Sequence, residues 1–94
     1  MAEWNLYLVR CRDGSLYTGI TTDVARRFAE HSKNNGAKYL RGKGPLELVL
    51  QKKVIGRNLA QSLERKIKNL PRQKKEELIT SPVLLESLIR KMTQ

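Results

Sequence analysis

The sequence predicts an α+β fold in which a small three-stranded, mainly antiparallel sheet is flanked by helices. Two short apolar runs joined by an Asp-Gly turn predict a hairpin near the N-terminus, and a third alternating run near residue 46 predicts another strand. Most of the remaining chain has the apolar spacing of helices. A chain of 94 residues can bury one core but not two, so we expect residues 1–94 to form one domain.

The predicted hairpin is centred on Asp13-Gly14. Residues 4–11 alternate between two faces and are rich in residues that favour strands, and residues 16–20 form the returning strand. Asp-Gly tolerates the positive φ values that a tight turn requires. The hairpin should therefore bring Tyr7 and Tyr17 close together. Whether their side chains share a face depends on the register of the turn, because a slip of one residue reverses the faces.

A helix is predicted after the hairpin, from about Asp23 to Lys33. Asp23 can cap its N-terminus, and its charge suits the first turn. Arg27 and His31 are four residues apart and therefore lie on one side of the helix, beside its apolar stripe. We expect both side chains to point toward the sheet. Arg26 is about 100° around the helix from its neighbour and should point to solvent.

A loop rich in glycine and positive charge is predicted over residues 34–45. It contains three glycines and one proline, together with Lys38, Arg41 and Lys43. Leucine then occupies every second position over residues 46–50, which predicts the third strand.

Three helices are predicted in the rest of the chain. Asn58 and Gln61 have the spacing of a capping box, which would start the first helix, and a proline at residue 71 would end it. A short helix is expected over about 72–79. Ser81, followed by proline, should then open a last helix over about 82–92.

Positive charge dominates the composition. Lys and Arg number 19 against nine Asp and Glu, which gives a net charge of +10. The stretch from Lys38 to Lys75 holds twelve basic and two acidic residues, so it carries the whole excess. Such a concentrated basic surface favours a polyanion through counterion release. A solvated face without a partner is the alternative, and no large exposed apolar face accompanies the charge to favour a membrane surface.

The sequence gives no sign of secretion or of a membrane span. Apolar residues make up 39% of the chain, mean hydropathy is −0.54, and no apolar run approaches the roughly 20 residues that a span needs. The N-terminus lacks the pattern of a signal peptide. Cys11 is the sole cysteine and cannot form an internal disulfide, which fits the cytoplasm. We expect Cys11 to be a small buried residue.

Five residues near the N-terminus stand at a distinctive spacing. Nine residues separate Tyr7 from Tyr17, and Gly19 follows two residues later. Arg27 lies eight residues beyond that glycine, and His31 lies four further on. The glycine is expected to let the backbone leave the strand sharply or to let a phosphate approach closely.

This pattern resembles the GIY-YIG nuclease motif, with its two signature tripeptides standing here as Leu6-Tyr7-Leu8 and Tyr17-Thr18-Gly19. Glu64, on a later predicted helix, completes the likeness. The resemblance covers about residues 5–80 and is closest to the small stand-alone members of the family. The two leucines of the first tripeptide are a mild departure that keeps Tyr7 in place.

The resemblance implies hydrolysis of phosphodiester bonds in DNA. It implies that Tyr7 acts as the base, that Tyr17 bonds the phosphate or the water, and that His31 assists proton transfer. Spacing alone does not rank the two tyrosines. Arg27 can fork onto the phosphate and neutralise charge in the transition state. One carboxylate, Glu64, fits a single Mg²⁺ (or Mn²⁺) that keeps most of its waters.

Each residue also has a structural interpretation. The tyrosines and His31 could be packing residues, and Glu64 could simply pair with Lys68 one turn later. Their joint occurrence favours a catalytic site. For the whole protein, we predict a Mg²⁺-dependent endonuclease in DNA repair or processing, assumed monomeric, that recognises strand structure or single strands. The alternative is a catalytically idle protein that binds DNA or RNA. An adaptor that binds no nucleic acid would leave the basic stretch unexplained.

Overall fold

A computed structural model describes residues 3–93 and shows the predicted α+β architecture, a three-stranded antiparallel sheet with four α-helices. The elements in chain order are β1 (Trp4–Arg10), β2 (Leu16–Thr21), α1 (Val24–Ser32), a short 3₁₀ helix (Lys38–Leu40), β3 (Glu47–Val54), α2 (Arg57–Lys68), α3 (Arg72–Thr80) and α4 (Pro82–Met92). Among the described residues, no helix is both long enough and apolar enough to cross a membrane.

The central strand of the sheet is β1, which pairs antiparallel with β2 on one side and with β3 on the other. In the hairpin, Tyr7 lies opposite Gly19, and Val9 lies opposite Tyr17. Residues that face each other across two strands share a face of the sheet, and so do residues two apart in one strand. The register therefore places both tyrosines on the same face, which the sequence left open.

The two faces of the sheet support separate apolar clusters. Leu6 and Leu8 point to the face covered by α2 and are fully buried there. Tyr7 and Val9 point to the opposite face, where they pack with Val24 of α1. Burial of each large apolar side chain contributes about 1.5–3 kcal/mol, so the alternation in β1 fixes which helix covers which face. Because β2 is an edge strand, side chains from α1 on one face of the sheet and from α2 on the other can approach each other beyond its outer side.

The helix starts agree in part with the predictions. Asp23 caps α1 as expected, since its carboxylate accepts a hydrogen bond of 3.0 Å from the backbone N–H of Arg26. The predicted capping box at Asn58 is wrong. Helix α2 begins at Arg57 with Gly56 as its N-cap at a φ of 87°, so Asn58 already lies within the first turn. The Cys11 side chain is buried, as predicted.

A two-pronged ion pair ties α3 to the sheet. Arg10 donates from its two terminal nitrogens to the two carboxylate oxygens of Glu76, each at 2.7 Å. Arg72, at the start of α3, donates to the carbonyl of Gly14 in the hairpin turn at 2.8 Å. The guanidinium of Arg10 lowers the pKa of the Glu76 carboxyl group. These contacts hold the basic end of α3 beside the hairpin.

We expect Glu76→Gln to lower the free energy of unfolding by about 1 kcal/mol at neutral pH, the upper range for a partly exposed pair. Because folding lowers the pKa of Glu76, this contribution is present above the ordinary value of about 4.3 and is lost as the pH falls through the folded value. Urea denaturation should separate parent and variant at neutral pH and bring them together in acid. Equal stability at neutral pH would show that the pair contributes nothing.

Candidate active site

The two tyrosines form the base of the candidate site. Tyr7 is only 2% exposed, Tyr17 is half-buried, and their ring centroids are 6.4 Å apart. The Tyr7 ring lies across Gly19, where a Cβ atom would come within 2.5 Å of the Tyr7 hydroxyl oxygen. The expectation that Gly19 bends the chain sharply is wrong, because β2 continues to Thr21. The glycine is needed to leave room for the phenol.

His31 is brought to Tyr7 by α1 and is 1% exposed. Its Nε2 atom lies 2.8 Å from the Tyr7 hydroxyl oxygen, and its Nδ1 atom accepts a hydrogen bond of 3.0 Å from the backbone N–H of Ala37. A backbone amide can only donate, so Nδ1 carries no proton and the neutral ring holds its proton on Nε2. His31 therefore donates to Tyr7, which suits it to stabilise a phenolate rather than to remove the phenol's proton.

Arg27 lies one turn before His31 on α1, at the margin of the site. Its side chain is 37% exposed and donates to the Glu30 carboxylate at 3.1 Å. That bond leaves most of its five N–H donors available for a phosphate. Arg26 is exposed, so the two adjacent arginines lie in different surroundings, as the helical geometry predicts.

Glu64 approaches the site from α2. Its side chain is 23% exposed and pairs with Lys68 at 3.3 Å, as the structural interpretation of the sequence anticipated. It also lies near enough to Tyr7 for its negative charge to raise the pKa of that phenol. An open cleft of about 300 Å³ is lined by Gln61, Glu64, Arg65 and Lys68.

The oxygen donors in this cleft fit a magnesium ion that keeps most of its water. A carboxylate on Glu64 and an amide oxygen on Gln61 are hard ligands of the kind that Mg²⁺ prefers. Within residues 3–93 no group of three or more His, Cys, Asp and Glu side chains is placed to hold a metal ion. Glu64 would give up Lys68 to bind an ion.

Burial controls the protonation of Tyr7 and His31. It raises the pKa of Tyr7 to about 12, aided by the nearby Tyr17 and opposed by the positive charge of Arg27. Burial, with Arg27, lowers the pKa of His31. At neutral pH the phenol is therefore protonated and the imidazole is neutral. A base role for Tyr7 requires further positive charge nearby.

We expect the imidazole of His31 to titrate below its ordinary pKa of about 6.5. Protonation would place a second proton on Nδ1 and break the bond from Ala37. Since the folded pKa is depressed, the unfolded chain binds the proton first, and stability falls as the pH drops below about 6.5. His31 is the only histidine in the sequence, so its ring signals in an NMR titration are unambiguous. A midpoint at or above 6.5 would contradict the hydrogen-bond arrangement.

The predicted basic loop runs alongside the tyrosines. Lys38 and Arg41 are exposed, and Lys43 is half-buried. The 3₁₀ helix places Tyr39 against Tyr17, with ring centroids 6.0 Å apart and ring planes 24° from parallel. The loop that carries Lys38, Arg41 and Lys43 thus contacts Tyr17 through Tyr39, and the Lys43 ammonium lies over the Tyr39 ring.

Three features of the site were not found from the sequence. Gly36 packs against the His31 ring, since a Cβ atom there would come within 2.0 Å of Nδ1. The Ala37 amide sets the tautomer of His31, and Tyr39 extends the row of rings. A glycine closely following His31 and an aromatic residue within a basic loop are the signals that could have pointed to them.

Comparison with known proteins places the chain among relatives of similar length. The model of the GIY-YIG catalytic domain matches residues 3–77. The UPF0213 protein of Cronobacter sakazakii is 51% identical over 88 residues, which cover 94% of this chain and 93% of that protein. The UPF0213 protein YhbQ of Salmonella arizonae is 51% identical over 89 residues, covering 95% and 89%.

Two solved structures share the fold. The solution NMR structure of the UPF0213 protein BH0048 from Bacillus halodurans is 44% identical, covers 83% of each chain and has a TM-score of 0.56. The solution NMR structure of the protein EF2693 from E. faecalis is 34% identical, with a TM-score of 0.63 over 89% of this chain and 90% of that one.

Proposed function

The chain belongs to the GIY-YIG catalytic-domain family, and from that premise we propose that it is a divalent-metal-dependent endonuclease that hydrolyses DNA. Membership of the family implies nuclease-type activity on a nucleic acid. The metal, the DNA substrate and a role in repair or processing in the cytoplasm are parts of the proposal. One observation carries it: the Tyr7 hydroxyl group on β1 bonds His31 of α1, the Tyr17 ring of β2 lies 6.4 Å from the Tyr7 ring, and Glu64 of α2 is near enough to raise the pKa of Tyr7.

In this proposal the Tyr7 phenol first loses its proton to solvent, and the resulting phenolate receives the proton of the attacking water. His31 donates from Nε2 to the Tyr7 oxygen and so stabilises the negative charge of a phenolate. Tyr17, half-buried beside both, bonds the water or the phosphate. Arg27 donates two hydrogen bonds from its guanidinium group to the phosphate and neutralises the charge that develops on the phosphate oxygens.

Glu64, with Gln61 beside it, would hold Mg²⁺ or Mn²⁺ as a single ion. When bound, the ion supplies Lewis-acid stabilisation of the phosphoryl oxygens and positive charge near the phenol. The high pKa of Tyr7 makes that charge necessary, because a phenol at about 12 is almost fully protonated at neutral pH. Release of Lys68 from Glu64 would also leave an ammonium group free for a phosphate.

A second candidate function is binding without cleavage. The ion pair between Glu64 and Lys68 and the raised pKa of Tyr7 are the observations that favour it. Both functions require the basic surface, so binding alone does not separate them. Incubation with Mg²⁺ and a panel of single-stranded, duplex, flap and branched DNA does. Metal-dependent cleavage of one or more members supports the nuclease, whereas binding without any cleavage supports the alternative.

We expect affinity for DNA to depend steeply on salt. Lys38, Arg41 and Lys43 should each neutralise a phosphate, so combined replacement by alanine should weaken binding about equally for all sequences and flatten the salt dependence. Fluorescence anisotropy between about 50 and 200 mM salt measures both effects. DNA affinity that does not change with salt concentration, or binding to one sequence only, would contradict a phosphate-binding role for this loop.

A further inference from the structure

We propose that Tyr39 is a stacking platform for an unpaired nucleobase next to the phosphate that is cut. This inference rests on the proposed function, because it takes the Tyr7 and Tyr17 cluster as the place where the phosphate lies. Tyr39 is 49% exposed, although tyrosine is a large aromatic residue with much apolar surface to bury. An exposed ring at the mouth of a nucleic-acid site is the group that base stacking uses.

The rings form a continuous row from the buried site to the surface. The His31 and Tyr17 rings meet edge to face at a centroid distance of 5.6 Å, and Tyr17 stacks on Tyr39 at 6.0 Å. Tyr39 is thus one ring farther from the Tyr7 hydroxyl group than Tyr17. A base on Tyr39 would belong to the nucleotide beside the reacting phosphate.

Positive charge surrounds the exposed ring. The Lys43 ammonium lies over the Tyr39 ring, 3.9 Å from its centroid. Lys68 and Lys75 line the same cavity of about 280 Å³ as Tyr17 and Tyr39. A single cation–π contact on an exposed ring is weak, and a lysine stem is flexible. A base can therefore take the place of the ammonium, which then bonds the neighbouring phosphate.

The platform selects unpaired nucleotides rather than a sequence. Every base has a π-face, so stacking tolerates all four bases. In a duplex that face is already covered by the next base pair, and exposing it requires unstacking. Tyr39 would therefore supply a preference for single-stranded or frayed DNA that the phosphate-binding lysines cannot supply.

The test measures binding to two labelled oligonucleotides in the presence of chelator, so that no strand is cut. One is oligothymidine, and the other has the same number of phosphates but abasic sites throughout. Tyr39→Ala should weaken binding to oligothymidine about 5- to 100-fold, the range for losing one stacked base. Tyr39→Phe keeps the ring and should bind within about twofold of the parent. On the abasic strand, parent and both variants should bind alike.

Ile55→Ala is the matched control. Ile55 is 92% exposed and follows β3, which is the edge strand opposite to β2. This variant should bind both strands as the parent does. Equal binding of oligothymidine by Tyr39→Ala and the parent would overturn the platform. An equal loss on both strands would also overturn it, since Tyr39 would then only support the loop.

The binding test of Tyr39 can fail or succeed independently of the cleavage test of the proposed function. If the parent cuts DNA with Mg²⁺ while Tyr39→Ala binds normally, the platform fails and the nuclease stands. If the parent never cuts but Tyr39→Ala weakens binding to oligothymidine and not to the abasic strand, the stacking of an unpaired base on Tyr39 stands and the nuclease fails.

Discussion

Glu64→Gln should lower the rate of DNA cleavage by at least about 10²-fold, because it keeps the shape of the side chain but removes the charge that Mg²⁺ needs. Affinity for DNA measured in chelator should not fall. The variant removes a negative charge and frees Lys68 from its 3.3 Å ion pair, and both changes favour a polyanion. Single-turnover cleavage and anisotropy, performed on the same preparation, measure the two effects.

The matched control is Glu77→Gln. Glu77 also pairs with a lysine on its own helix, Lys74 at 3.7 Å, but it lies on α3 and has no described contact with the tyrosines. The control removes the same charge and should cut at the parental rate. If Glu64→Gln cuts as fast as the parent, Glu64 is a helix-surface charge and the magnesium site is wrong.

Tyr7→Phe and Arg27→Ala should each lower the cleavage rate by at least about 10²-fold, the lower range for losing acid–base or electrostatic help. The double variant should be little worse than either single one, because groups that act as a unit lose their effects non-additively. Arg26→Ala is the control, since Arg26 is exposed on the same helix and should be dispensable. Initial rates of the four variants at saturating Mg²⁺ make the comparison.

Stability needs to be followed for Tyr7→Phe in particular. Tyr7, unlike the partly exposed Arg27, belongs to the buried core. Its ring is 2% exposed, and its hydroxyl oxygen accepts from His31. Phenylalanine would leave the buried Nε2–H without a partner, at a cost of about 1–3 kcal/mol. Rates should therefore be measured well below the melting temperature. A silent Tyr7→Phe, or an Arg26→Ala as damaging as Arg27→Ala, would show that the site or its register is wrong.

The elements were predictable from the sequence because each rests on local chemistry. Alternation in residues 4–11 fixes a strand with two apolar faces, and Asp23 provides a cap that the structure uses. The start of α2 was misplaced because Gly56, with a φ of 87° that glycine readily adopts, takes the N-cap position two residues before Asn58.

The arrangement of the site was less predictable, because it depends on contacts between distant parts of the chain. Spacing placed Arg27 and His31 on one side of a helix, but not the bond from His31 to Tyr7. The role of Gly19 follows from a ring that crosses it, which no local pattern reveals. Tyr39 joins the site because a loop folds back onto Tyr17.

Chelation followed by restoration of Mg²⁺ tests the central claim most directly. The substrate is whichever member of the single-stranded, duplex, flap and branched panel the parent cuts fastest. With the parent, cleavage should stop when chelator is added and resume when excess Mg²⁺ is supplied. With Glu64→Gln, which should barely cut, neither addition should change the cleavage rate. Cleavage that continues in chelator, or a parent that cuts no member of the panel with Mg²⁺ or Mn²⁺, would contradict the account.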